Sequence, residues 1–125
     1  MKKLLVVDDE TEICDFLKSF FEDRNYDVRT ASSGEQALNA IKKELPHVVL
    51  LDVQMPGMNG LAALKTIKEQ FPKVKVIMVT AVETREKIEE AMRSGADNYI
   101  TKPLSLEYLE KEVQEKISLL LPIKN

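Results

Sequence analysis

Five short apolar runs, each followed by a stretch of helical period, set the tightest limit on what this chain can become. Residues 4–7, 28–31, 48–51, 74–79 and 98–101 read as strands. The first, third and fourth are nearly continuous Val, Leu, Ile and Met, as in strands covered on both faces. Between them, apolar residues recur at spacings of three and four. Ile13, Phe16, Leu17 and Phe20 make one stripe, and Ala37, Leu38 and Ile41 a second. Leu61, Leu64 and Ile67 make a third, followed by Pro72, and Ile88, Ala91 and Met92 a fourth, with Gly95 as its stop. Leu106, Leu109, Val113, Ile117 and Leu120 make the last. Ser33 and Gln36 match a capping box, and Ser105 a helix N-cap. Phe16, Phe20 and the methionines fall at helical or strand spacing and are expected in the core.

A strand-helix unit repeated to the end of the chain, joined by right-handed crossovers, gives a doubly wound parallel α/β sheet with helices on both faces. For 125 residues the flavodoxin-like (βα)5 arrangement with strand order 2-1-3-4-5 is expected, as a single domain over residues 1–125. Other functional classes are disfavoured. The formal net charge of −3 argues against a nucleic-acid surface. Cys14 is the only cysteine, so no internal disulfide can form, and a reducing cytoplasm fits. The apolar run after Lys2 and Lys3 is too short for a signal peptide or a membrane span.

In doubly wound sheets, sites lie beyond the carboxyl ends of the strands, where strand order reverses. Here strand one runs into Asp8-Asp9, strand three into Asp52, strand four into Thr80, and strand five into Thr101-Lys102-Pro103. Strand two runs into Ser32-Ser33-Gly34, a cap and turn. A lone Asp after a strand is ordinarily a turn residue; the convergence of four such ends is what points to a site. Clustered carboxylates repel unless a cation joins them. A few oxygen ligands without Cys or His suit Mg²⁺ (or Mn²⁺), not zinc. The single histidine, His47, starts strand three at the opposite edge and reads as structural or exposed. Carboxylate, divalent cation, lysine and hydroxyl are the parts needed to receive a phosphoryl group.

With these residues in place the chain resembles, over its whole length, the receiver domains of two-component response regulators. The resemblance is carried by "VVDDE", "LLDVQMPGMNG", "VTA" and "YITKP", in this order and spacing. It implies that Asp52 is the phosphoacceptor and also a Mg²⁺ ligand, that Asp9 binds Mg²⁺ directly with Asp8 in support, and that the backbone carbonyl of Gln54 completes the protein ligands. It implies that Lys102 contacts the phosphoryl group, that Thr80 is the switching hydroxyl, that Tyr99 is the switch aromatic, and that the bond before Pro103 is cis. Pro56-Gly57 and Asn59-Gly60 fit the turn after the acceptor strand. Gln54 and Val82 hold positions that tune phosphoryl lifetime; apolar Val82 predicts slow self-dephosphorylation.

The resemblance further implies a histidine kinase or histidine phosphotransfer protein as donor, met on helix one around Cys14, Asp15 and Lys18 and on the loop after strand five. A downstream protein would be met on the face of helix four, strand five and helix five after Thr80 shifts and Tyr99 turns inward. The protein is expected to be a cytoplasmic signalling acceptor, not an enzyme, and a monomer or a phosphorylation-dependent dimer. A stand-alone phosphorelay or chemotaxis-type regulator is expected, from the Pro122 turn and short polar tail; the alternative is a receiver cut from a larger DNA-binding regulator. A flavin domain of the same fold is disfavoured because "DDETE" would repel a phosphate. An aspartate-based phosphatase is disfavoured because Gln54 stands where its second Asp would be, and a degenerate receiver because no position of the motif set is missing.

Overall fold

The computed structural model describes residues 1–53, 59–81 and 85–121. Five strands, β1 (Lys2–Val7), β2 (Tyr26–Ala31), β3 (Val48–Asp52), β4 (Lys75–Ala81) and β5 (Asn98–Lys102), form one sheet in the order β2-β1-β3-β4-β5. Every pairing is parallel. The helices are α1 (Thr11–Glu22), α2 (Gly34–Lys43), α3 (Gly60–Gln70), α4 (Arg85–Arg93) and a C-terminal helix, α5, over residues 106–120. The expected doubly wound fold and strand order are what the chain adopts.

Alternation along the strands explains why their sequences look continuously apolar. Successive side chains of a strand point to opposite faces. Leu5, Val7, Val49, Leu51, Val76 and Met78 face one core, with α2 and α3 supplying Ala37, Ile41, Leu64 and Ile67. Leu4, Val6, Val48, Leu50, Ile77 and Val79 face the other, with α1 and α5 supplying Leu17, Phe20, Phe21, Leu109, Val113 and Ile117. Both faces are covered, so neither register of the pleat is free to be polar.

Several helix-face assignments need correction. Phe16 is 42% exposed, Met92 40% and Met1 81%. The buried face of α1 is Cys14, Leu17, Phe20 and Phe21. Phe16 lies two residues, about 200° of turn, from Cys14 and so sits on the outer shoulder. Helix α4 rests on a single small buried residue, Ala91, which leaves Met92 outside. Leu106 is 53% exposed in the opening turn of α5. Met55, Met58 and the Pro122 turn lie outside the described residues.

Helix α5 has an opening turn Leu106–Tyr108, a π-helical stretch Leu109–Val113 and a closing α-helical stretch Gln114–Leu120. The Gln114 N–H donates to the Leu109 carbonyl, five residues back. A strict spacing of four drifts about 40° per step on an α-helix. One wider turn takes that drift back, and Leu109, Val113 and Ile117 all end fully buried.

The helix ends follow local chemistry. The Ser105 side chain accepts from the Tyr108 N–H at 3.1 Å. The Ser33 side chain accepts from the Gln36 N–H at 3.1 Å, but the Gln36 side-chain oxygen Oε1 takes the N–H and hydroxyl of Ser32, each at 2.9 Å. The capping box is therefore half formed, because Gln36 reaches one residue too far back. Gly95, at φ +108°, ends α4 as expected. Its N–H meets the Met92 carbonyl at 3.2 Å, and the Ala96 N–H meets that of Ala91 at 3.0 Å, the paired bonds of a left-handed helix stop.

At the amino edge of the sheet, His47 Nδ1 accepts the Lys3 N–H at 2.9 Å, and the His47 N–H donates to the Lys3 carbonyl at 2.9 Å. The structural reading of this histidine holds. Burial, then the charges of Lys2 and Lys3, hold its pKa below the ordinary 6.5. The folded protein thus binds fewer protons here than the unfolded chain. Stability from this group should be full above about pH 6.5 and fall as pH drops below that value. The urea midpoint is expected to decline from pH 7 to pH 5, and less so in His47→Gln, whose amide oxygen accepts without titrating.

Candidate functional site

The carboxyl ends of β1, β3, β4 and β5 bring together the four groups that the sequence pattern selected. Asp8, Asp52 and Thr80 are the buried polar residues among those described, at 3%, 6% and 8% exposure. Asp8 follows the last residue of β1, and its N–H still pairs with the Ala31 carbonyl of β2 at 3.1 Å. Its carboxylate Oδ1 accepts the Glu10 N–H at 2.9 Å. The Cys14 thiol donates to the Asp8 carbonyl at 3.3 Å. Burial first, then the negative charge of Asp8, pushes the Cys14 thiol above its ordinary pKa. Cys14 therefore supports the β1 turn as a neutral donor.

Lys102 closes the group from β5. Its Nζ lies 3.2 Å from Asp8 Oδ2 and 3.3 Å from Asp52 Oδ2. Burial disfavours the charge, but Asp52 and then Asp8 outweigh it and raise the Lys102 pKa above the usual value. The ammonium stays protonated across the physiological range and bridges two buried carboxylates. The Lys102–Pro103 peptide is cis, as expected. Thr80 lies at the end of β4 and donates its hydroxyl to the Ala81 carbonyl at 3.0 Å. Tyr99 is half-buried on β5, packed at the edge of the α2–α3 core.

The carboxylates of Asp8, Asp9 and Glu10 each offer an oxygen within 4.8 Å of the others. Asp9 and Glu10 are exposed, so water can complete a coordination shell. All of these donors are hard oxygens, and the thiol of Cys14 is already engaged. The set fits Mg²⁺ or Mn²⁺. Glu10 was not among the residues singled out from the sequence; the third acid of "DDETE" was the available signal. Gln54, Val82 and the Pro56-Gly57 turn lie outside the described residues.

Asn59 and Gly60 do more than turn the chain. The Asn59 side chain accepts the Ala62 N–H at 2.8 Å and caps α3. The Gly60 N–H donates to the Val53 carbonyl at 2.8 Å. A Cβ on Gly60 would stand 2.2 Å from the Asp52 carbonyl oxygen and 2.6 Å from Val53 Cα. Both are backbone atoms and cannot swing aside. Gly60→Ala should lower stability by about 3 kcal/mol, in the range of overpacked sites, and displace Asp52. A urea midpoint equal to that of the wild type would contradict this.

The expected kinase-contact group on α1 is divided by the fold. Asp15 and Lys18 are exposed, as is the neighbouring Phe16, whereas Cys14 is buried and cannot meet a partner.

The class of protein that this sheet and this acid-lysine cluster define is matched by comparison. A family profile described as "response regulator receiver domain" matches residues 4–114. The chain belongs to the response regulator receiver domain family of two-component systems. Sporulation initiation phosphotransferase F of Bacillus subtilis is 34% identical over 124 residues, covering 99% of this chain and 97% of that protein. Transcriptional regulatory protein ZraR of Escherichia coli is 36% identical over 115 residues, 92% of this chain but 26% of that protein. The chain thus spans about a quarter of that relative, and 48% of the transcriptional regulator PhoP of Bacillus subtilis. Among solved structures, chemotaxis protein CheY4 of Vibrio cholerae superposes with a TM-score of 0.85 at 32% identity, covering 92% of this chain and 98% of that one. NtrX of Brucella abortus superposes with a TM-score of 0.86 at 33% identity, covering 94% of this chain and 28% of that one. Receiver domains of this family bind Mg²⁺ through an acidic cluster and interact with histidine kinases or phosphotransfer proteins. Among the described residues, no helix is long and apolar enough to cross a membrane.

Proposed function

We propose that this protein accepts a phosphoryl group on Asp52 from a phosphohistidine of a kinase or phosphotransfer protein, in a cation-dependent reaction, and thereby changes the partner preferred by its α4-β5-α5 face. The observation that carries the reading is the bridge from Lys102 to both Asp8 and Asp52, three buried or half-buried charges held at the carboxyl edge of a parallel sheet.

Asp52 attacks phosphorus through one carboxylate oxygen as the bond from phosphorus to the donor nitrogen breaks, leaving an aspartyl phosphate and a neutral imidazole on the donor once that nitrogen is protonated. Lys102 faces the oxygens of the transferring group and offsets their charge. Asp8, Asp9, Asp52 and the Gln54 carbonyl would hold Mg²⁺ (or Mn²⁺), which would supply positive charge to neutralise phosphoryl oxygens. The product adds about two negative charges and three acceptor oxygens. Thr80 leaves the Ala81 carbonyl to donate to one of them, and Tyr99 turns into the space released. The protein is then an acceptor that changes state, not a turnover catalyst, and Val82 keeps the phosphoryl group long-lived.

A stand-alone regulator of phosphorelay or chemotaxis type draws support from the match with the Bacillus phosphotransferase, which covers 97% of that protein. A receiver within a larger DNA-binding regulator draws it from the ZraR match. The acceptor chemistry is common to both. The test is intact mass after treatment with acetyl phosphate and Mg²⁺: one phosphate is expected, and none sinks the reading.

A further inference from the structure

Strand β5 is an edge strand, paired with β4 on one side only. Edge strands carry backbone groups that need another partner. Here α5 supplies two. The Tyr108 hydroxyl accepts the Thr101 N–H at 3.1 Å. Lys116 Nζ donates to the Tyr99 carbonyl at 2.9 Å. The same ammonium lies over the Tyr99 ring, 5.2 Å from its centroid, within the range of a cation–π contact.

One lysine therefore holds a single residue in two ways. The bond to the carbonyl belongs to the strand and survives any rotation of the Tyr99 side chain. The contact with the ring exists only while the ring stays where it is. We propose that Lys116 is a positioning residue that restrains the Tyr99 ring in the unphosphorylated arrangement, so that phosphorylation must work against this contact. The proposal rests on the receiver reading above, with Tyr99 as the moving aromatic.

The consequence has a sign. A contact made in only one of two states shifts their ratio toward that state. Loss of the ring contact should favour the activated state and tighten binding of any ligand that selects it. Loss of the carbonyl bond alone should lower stability in both states and leave their ratio unchanged.

The test uses beryllofluoride with Mg²⁺ as a stand-in for the phosphoryl group, titrated by calorimetry. Lys116→Met keeps the aliphatic stem and removes the charge; its apparent beryllofluoride Kd is expected to fall about two- to fivefold, the range for an exposed cation–π contact. Lys116→Arg, which keeps a cation over the ring, is expected to match the wild type. In a Tyr99→Ala background, Lys116→Met is expected to leave the Kd unchanged. Thermal unfolding of each variant confirms that it is folded. A merely structural Lys116 would lower the melting temperature without moving the Kd, and that outcome overturns the proposal, as does an equal shift with and without the Tyr99 ring. Wild-type protein that binds no beryllofluoride would remove the receiver reading itself, and this proposal with it.

Discussion

Asp52→Asn is expected to take up no phosphate from acetyl phosphate and Mg²⁺ under conditions that load the wild type. The reason lies in how differently the four nearby carboxylates are held. Asp52 ends the central strand β3, every residue of which is buried, and faces the Lys102 ammonium. Asp8 is more buried still, but its Oδ1 is taken by the Glu10 N–H and its Oδ2 by Lys102. Asp9 and Glu10 are exposed, and no ion pair of either is found among the described residues. Of the four, Asp52 alone lies within a strand, at the end of the sheet's central β3, with a cation placed to receive the charge of the incoming group. An amide at this position keeps the shape and can still accept from Lys102, but it is neutral and its nitrogen lone pair is delocalised, so it does not attack phosphorus. Intact mass reads the result directly. A full phosphate signal in the variant would assign the acceptor to another carboxylate.

The fold was legible because its main signal is physical and local. Strands covered on both faces cannot hide their composition, and β1, β3 and β4 announced themselves for that reason. The site was legible through topology: four strand ends carried chemistry, and the parallel order brings those ends together. Side-chain direction on the helices was less legible. Phe16 and Met92 share the spacing of core residues, and only the docking angle of α1 and α4 decides that they face water. The half-formed capping box shows the same limit at the scale of one residue, since Ser32 and Ser33 both offer donors and Gln36 selects the farther. The roles of Gly60 and Lys116 depend on contacts between segments distant in sequence, which no local pattern encodes. Gly60 approaches the backbone of Asp52 and Val53, and Lys116 reaches Tyr99 across 17 positions.

Lys102→Met should separate the two duties of the lysine, holding the folded site together and assisting phosphoryl transfer. In the wild type one ammonium lies 3.2 Å from Asp8 Oδ2 and 3.3 Å from Asp52 Oδ2. Those two oxygens are therefore no more than 3.2 + 3.3 = 6.5 Å apart. Methionine fills much of the same volume but leaves the pair of buried carboxylates without their cation. Removing one member of a buried charge cluster costs roughly 3 kcal/mol, less where water reaches the group, as it does at Lys102. The loss should be largest in the absence of metal. Mg²⁺ should restore most of the stability, since a cation that binds only the folded state stabilises it by mass action. It should not restore the rate. Loss of one preorganised donor to a developing charge slows transfer by about 10²- to 10³-fold. Urea midpoints with and without Mg²⁺ read the first duty, and the initial rate of phosphorylation by acetyl phosphate reads the second. If Mg²⁺ rescued both together, Lys102 would be only a structural counter-ion. If it rescued stability alone, the ammonium would act on the phosphoryl group itself, as the bridge between Asp8 and Asp52 places it to do.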